Sequence, residues 1–335
     1  MKRLLKYLSP FAPDQSGAVS ALFELGGLMV ICDAGGCTGN ICGFDEPRWF
    51  TRKSALFSAG LRDMDAIFGR DDLLIRRVAE AAELLHPPFI AYIGTPVPAV
   101  IATDFSALRF LTEKRTNIPC IAVPTTGTNQ YDKGAEEAFR MLFQTFATEK
   151  LPVISGRIGL LGATPLDLTT TDATDFRNAY GTNTVSYGMG STLDDCRQAS
   201  CAEKNIVLSP AGLSSAKLLQ RLFGTPYECD FPILPSALPK DARKVLIVHQ
   251  QIAANALRNK LRGQADCTVA TWFQLLPTLT QPGDFHIRDE EHFQSIANDY
   301  DAIVADDDLR HALPDYHGQW FSFPHFAVSG QLPSP

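Results

Sequence analysis

Short apolar runs alternate with segments of helical period along almost the whole chain, and no other feature narrows the fold as far. "FELGGLMVIC" ends as a strand. "GRDDLLIRRVAEAAELLH" places Leu74, Val78, Ala81 and Leu85 on one helical face, behind the cap candidates Asp71 and Asp72. "PPFIAYIGT", "DFSALRFLTEK", "IPCIAVPTT" and "GAEEAFRMLFQTFATEK" then continue as strand, helix, strand and helix. Such alternation buries strands on both faces and builds doubly wound, mainly parallel sheets flanked by helices. A second series opens at "RIGLLGA" and runs to "YECDFPIL", and the proline-rich "FPILPSALPKDARK" reads as a linker. A third comprises "KVLIVH", "AANALRNKLRG", "CTVAT", "EEHFQSIAND", "AIVAD" and a final "QWFSFPHFAVSG". The expectation is an α/β protein of three bodies: residues 1–150 with the cysteine loop, 151–240 and 241–335.

In sheets of this kind ligands bind beyond the carboxyl ends of the strands. The loops of interest are therefore "CDAGGCTGNICG", "GTPVPAVIATD", "PTTGTNQYDKG", "GATPLD", "SPAG", "HQQIAAN" and "PHFAVSG". The first gathers Cys32, Cys37 and Cys42, three of the chain's 8 cysteines, at C-x4-C-x4-C spacing among Gly35, Gly36, Gly39 and Gly43. Thiolates favour iron–sulfur clusters or zinc. The spacing matches no common ferredoxin or zinc finger, so the loop is either a metal site or a set of buried, incidental thiols. Asp33 is a carboxylate ligand or a turn residue, and the turn is preferred. Cys120, Cys196, Cys201, Cys229 and Cys267 sit in strand-like or helical contexts and receive no ligand role.

Among the 7 histidines, His249 and His325 follow apolar runs, where proton carriers are expected as readily as ordinary hydrogen-bonded loop histidines. No P-loop, no G-x-G-x-x-G opening a first βαβ unit and no G-x-S-x-G elbow occurs, which speaks against a nucleotide hydrolase, a classical nicotinamide dehydrogenase and a serine hydrolase. The balance of 30 basic against 37 acidic residues, net charge −7, speaks against nucleic acid or an anionic membrane as partner. The early apolar run breaks at Lys6, Pro10 and Pro13, and the stretch from Gly17 to Cys32 carries Glu24 and is too short to span a bilayer. A cytoplasmic protein with reduced thiols is expected.

Together these segments resemble the component 1 oxidoreductases of the nitrogenase superfamily. The resemblance rests on "DQSGAVSALFELGGLMVICDAGGCTGN" with its Gly-Cys turn, on the "SAGLRDMDAIFGRDDLLIRRVAEA" block, and on "PPFIAYIGTPVPAVIATDFSALRFLTEKRTNIPCIAVPTTG". It continues through "GRIGLLGATPLD", "GSTLDDCRQASCAEKNIVLSP", "LLQRLFGTPY" and the terminal "DYDAIVADDDLRHALPDYHGQWFSFPHFAVSG". It implies three-layer, Rossmann-like domains around a central cavity and assembly as a homodimer or with a heteromeric partner. It further implies an interfacial iron–sulfur cluster and an ATP-dependent iron protein as electron donor. Residue by residue, only Cys37 matches a family cluster ligand; "SPFAPD" and Thr95-Pro96 stand where members carry cysteines. Cys32 and Cys42 are read as compensating, which gives a smaller [4Fe-4S] cluster, and dinitrogen reduction is not expected. The substrate is placed among Thr95, Asn129, Tyr131, His249 and His325, with Gly36 and Asp33 as cofactor contacts and Tyr131 or a histidine as proton donor. A tetrapyrrole, another unsaturated compound or a second metallocofactor fits this scheme. The rival reading is a non-catalytic scaffold or carrier that holds a cluster or metallocofactor.

Overall fold

Parallel pairing runs through every named strand, in three separate sheets. The computed structural model describes residues 5–52, 54–168, 173–239 and 241–325. The first sheet, in order β2-β1-β3-β4, is built from β1 (Leu28–Ile31), β2 (Ala55–Ser58), β3 (Ile90–Ile93) and β4 (Cys120–Val123). Its helices are α1 (Asp14–Leu22), α2 (Gly36–Asn40), α3 (Asp63–Phe68), α4 (Asp71–Leu85), α5 (Pro96–Val100), α6 (Phe105–Thr116) and α7 (Tyr131–Phe146). The second sheet, β6-β5-β7-β8, repeats that winding with β5 (Ile154–Leu161), β6 (Thr184–Ser186), β7 (Ala202–Val207) and β8 (Tyr227–Cys229), joined by α8 (Thr174–Tyr180), α9 (Leu193–Arg197) and α10 (Pro210–Phe223). The third, β11-β10-β9-β12-β13, contains β9 (Lys244–Val248), β10 (Asp266–Thr271), β11 (Phe285–His286), β12 (Ala302–Ala305) and β13 (Gln319–Ser322), with α11 (Gln251–Lys260) and α12 (Glu290–Ala297).

β1 shows how the pattern becomes a core. Leu28, Val30 and Cys32 join Leu74, Val78 and Leu108 on the α4 and α6 side, whereas Met29 and Ile31 join Ala18, Leu22 and Phe139 on the α1 and α7 side. That division is the two-residue period of a strand buried on both faces. The stripe of α4 differs from expectation: Leu74, Ile75, Val78, Ala79 and Ala82 are buried, while Leu85 stays exposed. Both sets satisfy a 3.6-residue period, and the sheet selects the face rotated toward Ile75 and Ala79. The edge strand β2 escapes recognition because its four residues are only half-buried or exposed and carry no continuous apolar signal.

The amphipathic α7 packs on both α1 and α10 and so joins the first two sheets through Ala135, Ala138, Phe139, Leu142 and Phe143. It crosses α1 at glycine: a methyl on Gly17 would overlap the Tyr131 carbonyl, and one on Gly134 the Asp14 carbonyl. Among the described residues no helix is long and apolar enough to cross a membrane.

Candidate functional site

The cysteine loop leaves β1 at its carboxyl end. Cys32, one residue past the strand and 1 % exposed, keeps to the α4 and α6 face of the sheet. Burial first, then Asp33 and Asp71, push its thiol up to about 12. Cys37 and Cys42 lie beyond the strand, half-exposed, and Cys37 packs on the opposite, α1 and α7 side. Among the described residues the three thiols do not all lie within 4.8 Å of one another, and Cys32 and Cys37 pack with different clusters. Alternation along a strand sends Cys32 to one face, and the loop carries the other two away. Burial and the charge of Asp33 also raise the Cys37 thiol, with a hydrogen bond to Thr95 pulling the other way; Cys42 is raised by the same burial and the same Asp33.

Asp33 behaves as a staple. One carboxylate oxygen accepts from the Thr38 backbone at 2.8 Å and the other from the Ser58 hydroxyl at 2.6 Å, which ties the loop to β2. Thr95 is fully buried and donates to the Cys32 carbonyl at 2.7 Å, locking the ends of β1 and β3 together. Gly35, Gly36, Gly39 and Gly43 face open space, so the loop backbone is accessible to a ligand. After α2 the chain runs on as a π-helix, Ile41–Asp45, a form often found at functional sites.

Beneath the loop lies a fixed base. Arg48, fully buried, donates to Glu46 at 2.7 and 2.8 Å, to Glu24 at 2.9 Å and to the Ser20 carbonyl and hydroxyl at 2.7 and 2.8 Å. Burial pulls its pKa down, but the Glu46 and Glu24 carboxylates outweigh this and hold it above the ordinary value. Glu24 also accepts from the Gly190 backbone at 3.0 Å and so fastens this base to the second sheet.

A second constellation forms where the carboxyl ends of the second and third sheets meet. His249 follows β9, His325 follows β13, and Asp167 ends a 3-10 turn, Pro165–Asp167, after β5. The imidazole rings lie against each other, tilted by 37° with centroids 4.5 Å apart, and His325 Nδ1 lies 2.6 Å from Asp167 Oδ1. The three residues offer nitrogen and oxygen atoms all within 4.8 Å of one another. His249 accepts the Gln250 N–H on Nδ1 at 2.9 Å and faces the Pro324 carbonyl with Nε2 at 2.8 Å. Burial and the neighbouring His325 lower its pKa well below the usual imidazole value. Asp132, in the first turn of α7, accepts from the Gln274 backbone at 3.0 Å, and burial raises its carboxyl to about 6 against opposing contributions from that bond and His325. Among the described residues, Asp132 Oδ1, Asp167 Oδ2 and His325 Nε2 are buried without a hydrogen-bond partner. Beside them a cavity of about 10 Å³, lined by Phe11, Thr271, Trp272, Phe273, Asp306 and His325, has room for roughly one water molecule.

Of the residues expected around a substrate, the structure gathers His249 and His325 only. Thr95 belongs to the cysteine loop, Gly36 opens it, and Asn129 is exposed with its amide on Asp14 at 3.1 Å. Tyr131 is fully buried, and burial followed by Glu46 drives its phenol far above the ordinary value, so it keeps its proton rather than donating it. Asp167 and Asp132 were not anticipated as members of the site, although each lies in a strand-end loop, "GATPLD" and "PTTGTNQYDKG". The serine–glycine loop expected after His325 lies outside the described residues.

Residues 14–237 match the family described as nitrogenase component 1 type oxidoreductase. The nitrogenase iron-molybdenum cofactor biosynthesis protein NifE of Clostridium pasteurianum is 26% identical over 180 residues, covering 51% of this chain and 38% of that protein. The match thus spans about two fifths of the relative's length. A structure of nitrogenase Cp1 at pH 6.5 has a TM-score of 0.75 at 12% identity and covers 98% of this chain and 88% of its own. A second, at pH 5, has a TM-score of 0.69 at 13% identity and covers 91% and 81%. At that identity the structural likeness concerns the fold, three parallel α/β sheets included.

Proposed function

The chain belongs to the nitrogenase component 1 type oxidoreductases, and on that premise we propose that it is a reductase subunit taking low-potential electrons through an iron–sulfur cluster on its cysteine loop. The observation that carries this reading is the loop's form: two half-exposed thiols, Cys37 and Cys42, in a backbone cradle that glycines leave open, on a base anchored by buried Arg48. Soft thiolates in such a cradle fit an iron–sulfur cluster, and Cys32, inside the core, does not take part. When bound, the cluster supplies one-electron transfer.

Two thiols per chain supply half of a four-thiolate set, so the remaining ligands come from a second copy or a related partner chain. Phe44 and Phe50, 51 % and 65 % exposed, flank the loop in sequence, and Phe57 lies exposed on the neighbouring edge strand β2. These side chains are suited to the core of such an interface. An ATP-dependent iron protein is the proposed donor.

The protein's own residues hold the loop and manage protons. Asp33 and Thr95 fix where Cys37 emerges, and the histidine junction supplies protons to an unsaturated substrate that enters by displacing the side chains around its small cavity. The test is anaerobic purification with iron and acid-labile sulfide counts and an absorption spectrum, on the native chain and on Cys37→Ala. Brown native protein and colourless variant are expected; reconstituted native protein without iron or sulfide defeats the reading.

The name of the Clostridium pasteurianum relative favours a second reading, a scaffold or carrier in cofactor biosynthesis. Cofactor binding and release with no turnover alongside a reduced iron protein would select it.

A further inference from the structure

Two histidines face each other at the junction, yet only one has a nitrogen free to exchange a proton. His249 has both committed: Nδ1 accepts the Gln250 N–H, which places the ring proton on Nε2, where it donates to the Pro324 carbonyl. Its burial disfavours a second proton. His325 is different. Its Nδ1 meets Asp167 Oδ1 at 2.6 Å, its backbone N–H is held by Asp306 Oδ2 at 2.9 Å, and its Nε2 is buried without a partner. The ring stands edge-on to Phe273 at 4.7 Å and lies tilted by 37° against His249 at 4.5 Å, so both neighbours restrict its orientation. Asp167 is itself 3 % exposed, and its second oxygen, Oδ2, also has no partner.

We infer that Asp167 is a positioning residue: it holds His325 with its proton on Nδ1 and thereby makes His325 Nε2 the proton-transfer atom of the junction. This deepens the reductase reading and rests on it. In each step the imidazolium gives its Nε2 proton to the substrate atom that receives an electron from the low-potential donor. The ring is left neutral with Nδ1–H on Asp167, and a proton from solvent, relayed by water in the adjacent cavity, restores the imidazolium. Asp132, Asp306 and Asp308 are the other carboxylates around His325 among the described residues. Asp132 and Asp306 each accept a backbone N–H, from Gln274 and from His325 itself, and Asp308, whose backbone N–H is held by Asp306 Oδ1, lines the same cavity with its Oδ2 unpartnered. A carboxylate that fixes an imidazole tautomer in this way is the arrangement of hydrolytic triads, here without a nucleophile.

The same three side chains also have the spacing of a two-histidine, one-carboxylate metal site. The His249 contacts oppose it. A metal-binding imidazole normally donates through its other nitrogen, whereas His249 Nδ1 accepts from a backbone N–H, so its Nε2 has no lone pair to offer.

The experiment is long-range proton–nitrogen NMR on the full chain labelled with 15N-histidine, with His325→Gln to assign the signal, repeated with one equivalent of zinc alone. In native protein His325 is expected as the Nδ1–H tautomer. In Asp167→Asn, whose amide donates to Nδ1, its proton moves to Nε2 while His249 is unchanged. With a reduced donor, Asp167→Asn lowers kcat by about 100-fold and leaves KM within about twofold. A His325 tautomer unchanged in Asp167→Asn overturns the inference, as does tight zinc binding that shifts both histidines in native protein and is lost in the variant. The tautomer is read without cluster or donor, so a colourless protein defeats the reductase reading and leaves this measurement independent.

Discussion

The cysteine loop and the histidine junction both grow from the carboxyl ends of parallel strands, but they are finished in opposite ways. The loop is open above and rigid below: its glycines face space and its thiols are half-exposed, while Arg48 and its carboxylates are sealed underneath. The junction is narrow: among the described residues Asp132 Oδ1, Asp167 Oδ2, His325 Nε2, Trp272 Nε1 and Asp308 Oδ2 are buried without partners, beside space for about one water molecule. The loop keeps its backbone open, although Thr38 Oγ1 and the Tyr131 hydroxyl at its base are buried without partners among the described residues. The junction has little room and leaves polar groups waiting for something small, such as a proton. A single α/β scaffold thus carries an open thiol loop and a buried histidine pair at separate strand ends.

The contrast breaks most visibly at the base of the loop. Arg48→Met leaves Glu24 and Glu46 buried without their counter-charge, so the midpoint of urea unfolding should fall by the equivalent of about 3–5 kcal/mol. A loss under about 1 kcal/mol would mean the base is not rigid.

At the junction the largest effect concerns Asp132. Its folded pKa of about 6 lies above the unfolded carboxylate value, so its contribution is fully present below about pH 4 and is lost as pH rises through 6. Asp132→Asn should therefore stabilise the protein at pH 7 by about 2–3 kcal/mol and change nothing near pH 3, as measured by urea titrations at both pH values. His249 has the opposite sign. Its folded pKa is depressed, so its stabilisation is present above about pH 6.5 and lost as pH falls below it. His249→Gln should flatten the acid limb of the stability profile, and an unaltered limb would show that His249 is not buried neutral.

Within the loop the cysteines should separate. Cys32→Ala removes a core thiol and costs about 1 kcal/mol in thermal or urea unfolding while iron content is kept. Cys37→Ala and Cys42→Ala should cost less than about 0.5 kcal/mol and lose the iron. If Cys32→Ala loses iron as well, the division of thiols between the two faces of the sheet fails.

Much of the fold was legible because burial on both faces writes each central strand as an unbroken apolar run, as in "LMVI" and "KVLIV". The edge strand β2 writes no such run. His249 and His325 were legible as strand-end residues, and Cys37 through its loop. Cys32 was misplaced because spacing along the chain was given more weight than strand period: one residue past "LMVI" the side chain still alternates into the core. Asp167 looked like a turn residue, since its partner His325 lies 158 positions away and no local pattern announces a pairing of that range. Tyr131 drew notice as a potential proton donor, yet nothing in its neighbourhood in sequence shows that it is sealed beside Arg48.

The 158-residue separation of Asp167 and His325 also has a consequence in time. At ribosomal rates of about 5–20 residues per second, Asp167 emerges on the order of ten seconds or more before its imidazole partner exists. During that interval the first two sheets can close around α7, but the carboxylate at their edge has no counterpart. The Asp167–His325 contact is therefore a late event in the life of the molecule, and the histidine junction is assembled only once the third sheet has been made and docked.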